Sequence, residues 1–261
     1  MKNRLDKELL NRNLALSRSK AQDLIKSNLV YVNDKLINRA GFFVLDTDDI
    51  KIKENDIQKY VSRGGLKLEK AINEFNIDFT DLNVLDIGSS TGGFCDCALQ
   101  HGANSILAID VGTNLLHESL RKDSRITLYE QTDFREIGSD KFHNIDIITC
   151  DVSFISLKPI IKKIHDEKIK IDGIFLIKPQ FECGKEVATR YKGIILNKKE
   201  HSRILDDLFQ YFNKNDFYIK NITYSPIKGG DGNIEYLVYL SNKIDKNIEI
   251  NIEELVNKAF N

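Results

Sequence analysis

The chain lacks most of what would mark it as secreted, membrane-spanning or disordered. Its four cysteines, Cys95, Cys97, Cys150 and Cys183, are too few in 261 residues for a disulfide framework, and their spacing matches no zinc finger or ribbon. They are expected to be small buried side chains. No apolar run approaches the roughly 20 residues that cross a bilayer. The N-terminal MKNRLDKELLNRN has no apolar stretch of signal-peptide type, so a cytoplasmic location is expected. Hydrophobic residues make up 41% and charged residues 30%, which supplies a core and gives no sign of extended disorder. The formal net charge of −1 conceals an imbalance, because residues 1–39 hold nine Lys and Arg against four Asp and Glu. A basic head on a near-neutral body suits a module that meets a polyanion. The length suits one large domain plus a small one.

In the head, Leu5, Leu9 and Leu10 recur at helical spacing, and Ser17 stands where it would cap a second helix carrying Ala21, Leu24 and Ile25. The pattern then changes to period two at Val30-Tyr31-Val32. Asn33-Asp34 reads as a hairpin turn and 50–52 as a further short strand. From about residue 62, strands are expected at 83–87, 105–109, 126–129, 145–149 and 173–177. Helices separate them, including one at 114–120 and one at 157–164. A helix at 198–212 and strands at 218–224 and 235–240 follow, the last two joined by the Gly-rich 228–233. Alternating strands and helices predict an α/β fold: a doubly wound, mostly parallel Rossmann-like sheet whose last strand is antiparallel. The expected division is a small α+β domain over 1–59, a linker at 60–64, the α/β domain over 65–243 and a tail over 244–261 that is helical at its end.

Ligands of such sheets bind beyond the carboxyl ends of the strands. The first such end is LDIGSSTGGF, residues 85–94, and the next strand ends in Asp110, where a carboxylate can grip ribose hydroxyls. The glycines run Gly-x-x-x-Gly-Gly rather than Gly-x-Gly-x-x-Gly, Asp86 stands where a pyrophosphate would be unwelcome, and no P-loop occurs. S-adenosylmethionine, which has cationic groups and ribose hydroxyls but no phosphate, suits these acidic strand ends. Its expected contacts are Asp86, Gly88, Ser90, Thr91, Gly92, Gly93, Phe94, Asp110, Asp133 and Asp151. No metal site is expected.

A lysine, Lys178, closes the apolar run 172–177, although desolvating an ammonium group is costly without a partner or a task. Cys150-Asp151-Val152-Ser153-Phe154 has none of the prolines of an amino-methylating enzyme. A thiolate at Cys150 or Cys183, as cytosine-carbon methylation requires, lacks the flanking proline context. Methylation of a hydroxyl remains, a reaction in which close lysines stabilise or create an alkoxide. Asp151 at the end of a neighbouring strand, Lys67 in SRGGLKL and Glu235 in GNIEY complete a set of two cations and two anions.

These motifs carry a resemblance. Arg4-Leu5-Asp6, then SRSKA at 17–21, then VYVN at 30–33 resembles the small RNA-binding domain found in a ribosomal small-subunit protein and in pseudouridine synthases. The resemblance implies that Arg4, Arg18 and Lys20, with Arg63 beyond the head, face RNA phosphates. Lys67, Asp151, Lys178 and Glu235, in that order behind DIGSSTGGF, resemble the catalytic tetrad of FtsJ-like ribose 2′-O-methyltransferases. With DVSFISL and KPQFE, the whole chain is similar to the TlyA family, known both as haemolysins and as ribosomal RNA cytidine 2′-O-methyltransferases. Asp133 departs from the asparagine of many relatives. The implied partners are ribosomal RNA and ribosomal subunits, with no membrane and no stable protein partner. A membrane-active cytolysin, suggested by the haemolysin name, and an RNA-binding assembly factor are the alternatives. Any one of these charges alone would ordinarily be a surface ion pair; the ordered set is what carries the chemistry.

Overall fold

The computed structural model describes residues 2–15, 18–26, 29–52, 59–229 and 232–261. Contacts divide the chain into two units, Met1–Lys59 and Tyr60–Asn261. Ser17, the expected helix cap, and Gly230 and Asp231 of the expected closing connection lie outside the described residues.

In chain order the first unit contains β1 (Lys2–Arg4), α1 (Leu5–Asn11), α2 (Arg18–Lys26), β2 (Val30–Val32), β3 (Lys35–Leu36), β4 (Phe43–Leu45) and β5 (Ile50–Ile52). Strands β3, β2 and β5 form one antiparallel sheet, while β1 pairs with β4 so that Asn3 faces Val44. This second pairing was not expected: Lys2-Asn3-Arg4 has no apolar residue to show alternation, and the partners meet only through folding. The two helices bury Leu5, Leu9, Ala21, Leu24 and Ile25 against Val30, Val32 and Val44. Each Leu, Ile or Val among them contributes about 1.5–3 kcal/mol by leaving water.

The second unit runs α3 (Gly64–Phe75), β6 (Asn83–Ile87), α4 (Gly93–Gln100), β7 (Ser105–Ile109), α5 (Glu118–Arg121), β8 (Ile126–Tyr129), β9 (Ile147–Cys150) and α6 (Lys158–Asp166). It continues with β10 (Asp172–Ile177), α7 (Pro179–Glu182), α8 (Lys185–Arg190), α9 (Lys198–Lys214), β11 (Tyr218–Tyr224), β12 (Tyr236–Ser241) and α10 (Ile252–Phe260). The seven strands lie in the order β11-β12-β10-β9-β6-β7-β8, with β12 antiparallel to both of its neighbours. Alternation sends Leu85, Ile87, Phe175 and Ile177 into one core layer, and Val84, Ile174 and Leu176 into the other. The short helix expected at 114–120 begins only at Glu118, because Asn114 takes a left-handed φ of 55° and His117 caps the helix, accepting from the Ser119 amide.

Residues 60–64 lead directly into α3. Tyr60 is buried in the core of the second unit, and a Cβ on Gly65 would lie 2.6 Å from the Cβ of Tyr60. At the far end of the chain, the ring of Phe260 on α10 meets His201 of α9 edge-on, 5.0 Å between centroids. His201 Nε2 donates to the Ile195 carbonyl, which can only accept. Nδ1 therefore accepts from the hydroxyl of Tyr236 at 2.7 Å.

Candidate active site

Register sets the site. Ile87 pairs with Cys150, and Cys150 with Phe175, so β6, β9 and β10 end side by side. Gly88 and Asp151 follow β6 and β9 directly. Lys178 comes one residue after β10, in extended backbone, and Pro179 turns the chain into α7. Lys67 reaches this edge from α3, and Glu235 from just before β12. Glu235 Oε2 lies 2.7 Å from Lys67 Nζ, which lies 3.6 Å from Asp151 Oδ2; Asp151 Oδ1 in turn lies 2.6 Å from Lys178 Nζ. The four predicted residues thus form one chain of alternating charge.

Lys67, Lys178 and Glu235 are buried at 8%, 7% and 2% exposure, so none is an ordinary surface ion pair. Burial favours the neutral amine of Lys67, but the charges of Asp151 and Glu235 outweigh it and raise its pKa above the ordinary lysine value. Burial likewise favours a neutral Asp151, and the two ammonium groups outweigh it, holding the carboxylate below its usual range. Burial drives the thiol of Cys150 well above its ordinary pKa, and that of half-buried Cys183 upward, so neither offers a ready thiolate.

Beside this chain a cleft of about 470 Å³ opens at the strand ends. Its walls are apolar at Ile87, Ile109, Leu115 and Phe134, and Asp110, Asp133 and Asp151 supply carboxylates along it. The carboxylate of Asp110 accepts from the amides of Ser90 and Gly112, both at 2.7 Å. Asp133 caps the helical turn Phe134–Glu136 and pairs with Arg135, whose Nε donates at 2.9 Å. Three carboxylates, with the lining guanidinium already committed to one of them, suit a cationic ligand with hydroxyl groups rather than a phosphate. S-adenosylmethionine fits this donor set.

The expected cofactor residues separate here. Gly88, Ser90, Asp110, Asp133 and Asp151 line the cleft, whereas Asp86, Thr91, Gly92, Gly93 and Phe94 do not. Asp86 points away from it, accepting from Thr149 Oγ1 at 2.7 Å and Cys95 Sγ at 2.9 Å, and burial pushes its pKa up to about 6. The glycines serve different ends. Gly88, at φ 81°, has no room for a Cβ, which would sit 2.8 Å from the carbonyl oxygen of Asp151. Gly93 lets α4 approach α3: a Cβ there would strike Ser62 Oγ and lie 2.8 Å from the Gly65 amide. Gly229, in the Gly-rich connection, leaves space for Glu235, since a Cβ would lie 2.6 Å from its Cδ.

Two neighbours of the tetrad were not assigned a role from sequence, although Glu182, with Phe181 and Cys183, was expected to line or support the RNA pocket. Ser153 accepts from Lys178 Nζ at 2.7 Å, and Glu182 accepts from Ser156 Oγ at 2.5 Å and the Leu157 amide at 2.7 Å. The only signal was their place inside DVSFISL and KPQFE.

In the first unit, Arg4 makes a two-pronged contact with buried Asp6 through Nε and Nη2, both at 3.0 Å, and Arg18 Nε donates to the same carboxylate at 3.0 Å. Both arginines keep an exposed part, 40% and 52% of the side chain, so they are anchored at one edge and open at the other. Lys20 lies along α2. Arg63, in the second unit, precedes α3 and is half-buried.

A mostly parallel, doubly wound sheet with one inserted antiparallel strand, and an acidic cleft at its carboxyl edge, define a Rossmann-like methyltransferase. The model of the FtsJ-like methyltransferases matches residues 60–242, and that of the S4 domain matches residues 3–50. The chain belongs to the FtsJ-like methyltransferase family and carries an N-terminal S4 domain. It is 41% identical to Hemolysin A of Brachyspira hyodysenteriae, over 90% of this chain and 98% of that one. It is 38% identical to the 23S rRNA (cytidine-2′-O)-methyltransferase TlyA of Campylobacter jejuni subsp. jejuni, over 88% of this chain and 96% of that one. Among solved structures, one from Streptococcus thermophilus described as a haemolysin superposes with a TM-score of 0.78 at 35% identity, covering 99% of this chain and 95% of that one.

Proposed function

We propose that the protein transfers a methyl group from S-adenosylmethionine to the ribose 2′-hydroxyl of a cytidine in ribosomal RNA. The observation that carries this reading is the buried chain Glu235–Lys67–Asp151–Lys178 beside an acidic cleft. The activity named for the Campylobacter jejuni relative supports the choice of substrate. On this reading the S4 domain engages structured RNA through the open edges of Arg4 and Arg18, with Lys20 on the same helix as Arg18. The protein then works on ribosomal subunits in the cytoplasm.

S-adenosylmethionine supplies an electrophilic methyl group. Gly88 and Ser90 would give it backbone room, Asp110 would take ribose hydroxyls and Asp133 would serve the adenine end, while Asp151 links the cleft to the tetrad. Asp151 holds Lys178 at 2.6 Å, placing it to stabilise the developing alkoxide as an ammonium or, after giving up a proton to solvent, to accept the hydroxyl proton as the neutral amine. Lys67, kept charged by Glu235 and Asp151, adds positive potential at the same place without itself being free to leave. Asp86, Gly92, Gly93 and Phe94 act from behind, by shaping the β6–α4 turn.

The test is a nucleotide-resolution map of 2′-O-methylation in ribosomal RNA from a deletion strain. One cytidine should lose its methyl group and regain it on complementation; an unchanged map rejects the reading. For the cytolysin alternative, no helix among the described residues is long and apolar enough to cross a membrane. Release of vesicle contents by the purified protein without cofactor would revive it.

A further inference from the structure

The segments DVSFISL and KPQFE are tied together at three points that the proposed transfer does not by itself require. Lys178 Nζ donates to Ser153 Oγ at 2.7 Å across 25 residues of chain. The rings of Phe154 and Phe181 meet with centroids 5.3 Å apart. Glu182 receives Ser156 Oγ and the Leu157 amide, closing the loop against the start of α6. Its other end is fixed where the Asp151 amide donates to the Ile87 carbonyl at 3.1 Å. Ser153 therefore sits on a loop anchored at both ends, and it lines the cleft together with Asp151.

A lysine side chain turns freely about its last bonds, and one ion pair leaves its nitrogen able to swing. The ion pair with Asp151 Oδ1 at 2.6 Å holds the nitrogen in place, and the hydrogen bond it donates to Ser153 Oγ at 2.7 Å fixes one of its tetrahedral directions. The remaining directions are then set with respect to the cleft in either protonation state. In the charged amine they hold the two other hydrogens, and in the neutral amine one hydrogen and the lone pair. Placement to within a fraction of an ångström is what separates a productive from an unproductive proton acceptor.

We propose that Ser153 is a positioning residue, whose hydroxyl, with Asp151, aims the amine of Lys178 at the reacting hydroxyl. This rests on the methyltransferase reading above for its rate effect but not for its chemical effect on the lysine, and the two are measured separately. In the full-length protein, the acylation rate of Lys178 by a small amine-reactive ester is followed residue by residue by mass spectrometry. Loss of one hydrogen bond corresponds to a change of about five-fold; Ser153→Ala should label Lys178 faster by that factor, and Ser153→Thr, which keeps the hydroxyl, should label like wild type. With ribosomal RNA as substrate, Ser153→Ala should lower kcat about ten-fold with the KM for S-adenosylmethionine unchanged, and Ser153→Thr should restore it. Equal Lys178 labelling in all three proteins overturns the proposal, as does an equal loss of kcat in the Ala and Thr variants. Altered labelling in a protein that methylates no ribosomal RNA supports the positioning role and rejects the methyltransferase reading instead.

Discussion

Replacing Asp86 by asparagine tests whether the residue before the Gly-rich loop serves the ligand or the core. Its carboxyl is 1% exposed and accepts from Thr149 and Cys95, and burial raises its pKa from 3.8 to about 6. The folded value lies above the unfolded one. The group's contribution to stability is therefore fully present below pH 4, is lost between pH 4 and 6, and leaves the protein carrying the cost of a buried charge above that. At about 1.4 kcal/mol for each pH unit between the two values, the cost reaches about 3 kcal/mol near pH 7. Asparagine is nearly isosteric and does not titrate. The difference in unfolding free energy, variant minus wild type, should therefore rise by about 3 kcal/mol from pH 3 to pH 7. Any constant offset from rearranged hydrogen bonds cancels in that difference. The chain has no tryptophan, so urea unfolding followed by far-UV circular dichroism at a series of pH values is the suitable assay. A difference that stays flat with pH refutes the reasoning. Because Asp86 does not line the cleft, S-adenosylmethionine affinity should stay within about two-fold, a loss of less than 0.5 kcal/mol; a large loss would restore Asp86 as a direct ligand contact.

Lys178→Ala should reduce methyl transfer by about 10²–10⁴-fold while calorimetric binding of S-adenosylmethionine is retained; equal loss of both would make the lysine a ligand contact. Gly229→Ala drives a methyl group into Glu235 and should cost about 1–3 kcal/mol of stability together with most of the activity, both read in parallel; full activity would show that Glu235 need not hold Lys67. In the S4 domain, Arg4's hydrogen bonds hold the carboxyl of Asp6 well below its usual range. Its stabilising effect is therefore present above the ordinary carboxylate pKa and fades as the pH falls through the acid range. Asp6→Asn should cost about 2–3 kcal/mol at pH 7 and weaken RNA binding by freeing Arg4 and Arg18, as measured by melting and filter binding; unchanged melting would refute the anchoring role.

Much of the site is legible in the linear chain. An apolar run that ends in a charge is locally visible, so Asp151 and Lys178 stand out at strand ends, and the alternation of strands and helices places those ends on one edge. Even the direction of Asp86 was available from period two, since it shares a face with Val84 rather than with Ile87. The purpose of the glycines was not. Gly93 is required by Ser62 and Gly65 and Gly229 by Glu235, and a sequence motif shows that a glycine is present without showing what approaches it.

By itself the sequence determined the fold class and the order of the strands along the chain, because these depend on local pattern, and it marked Asp151 and Lys178 as charges at strand ends; Lys67 and Glu235 stood out only through the family order of the four. Tertiary structure alone decided that Lys67 of α3 reaches Glu235, that Ser153 shares Lys178 with Asp151, that Glu182 clamps the loop between them, and that Lys2–Arg4 finds Phe43–Leu45. Each of these is a contact between segments far apart in the chain, fixed by register and packing to a few tenths of an ångström, and distances of that kind are not encoded in any local pattern.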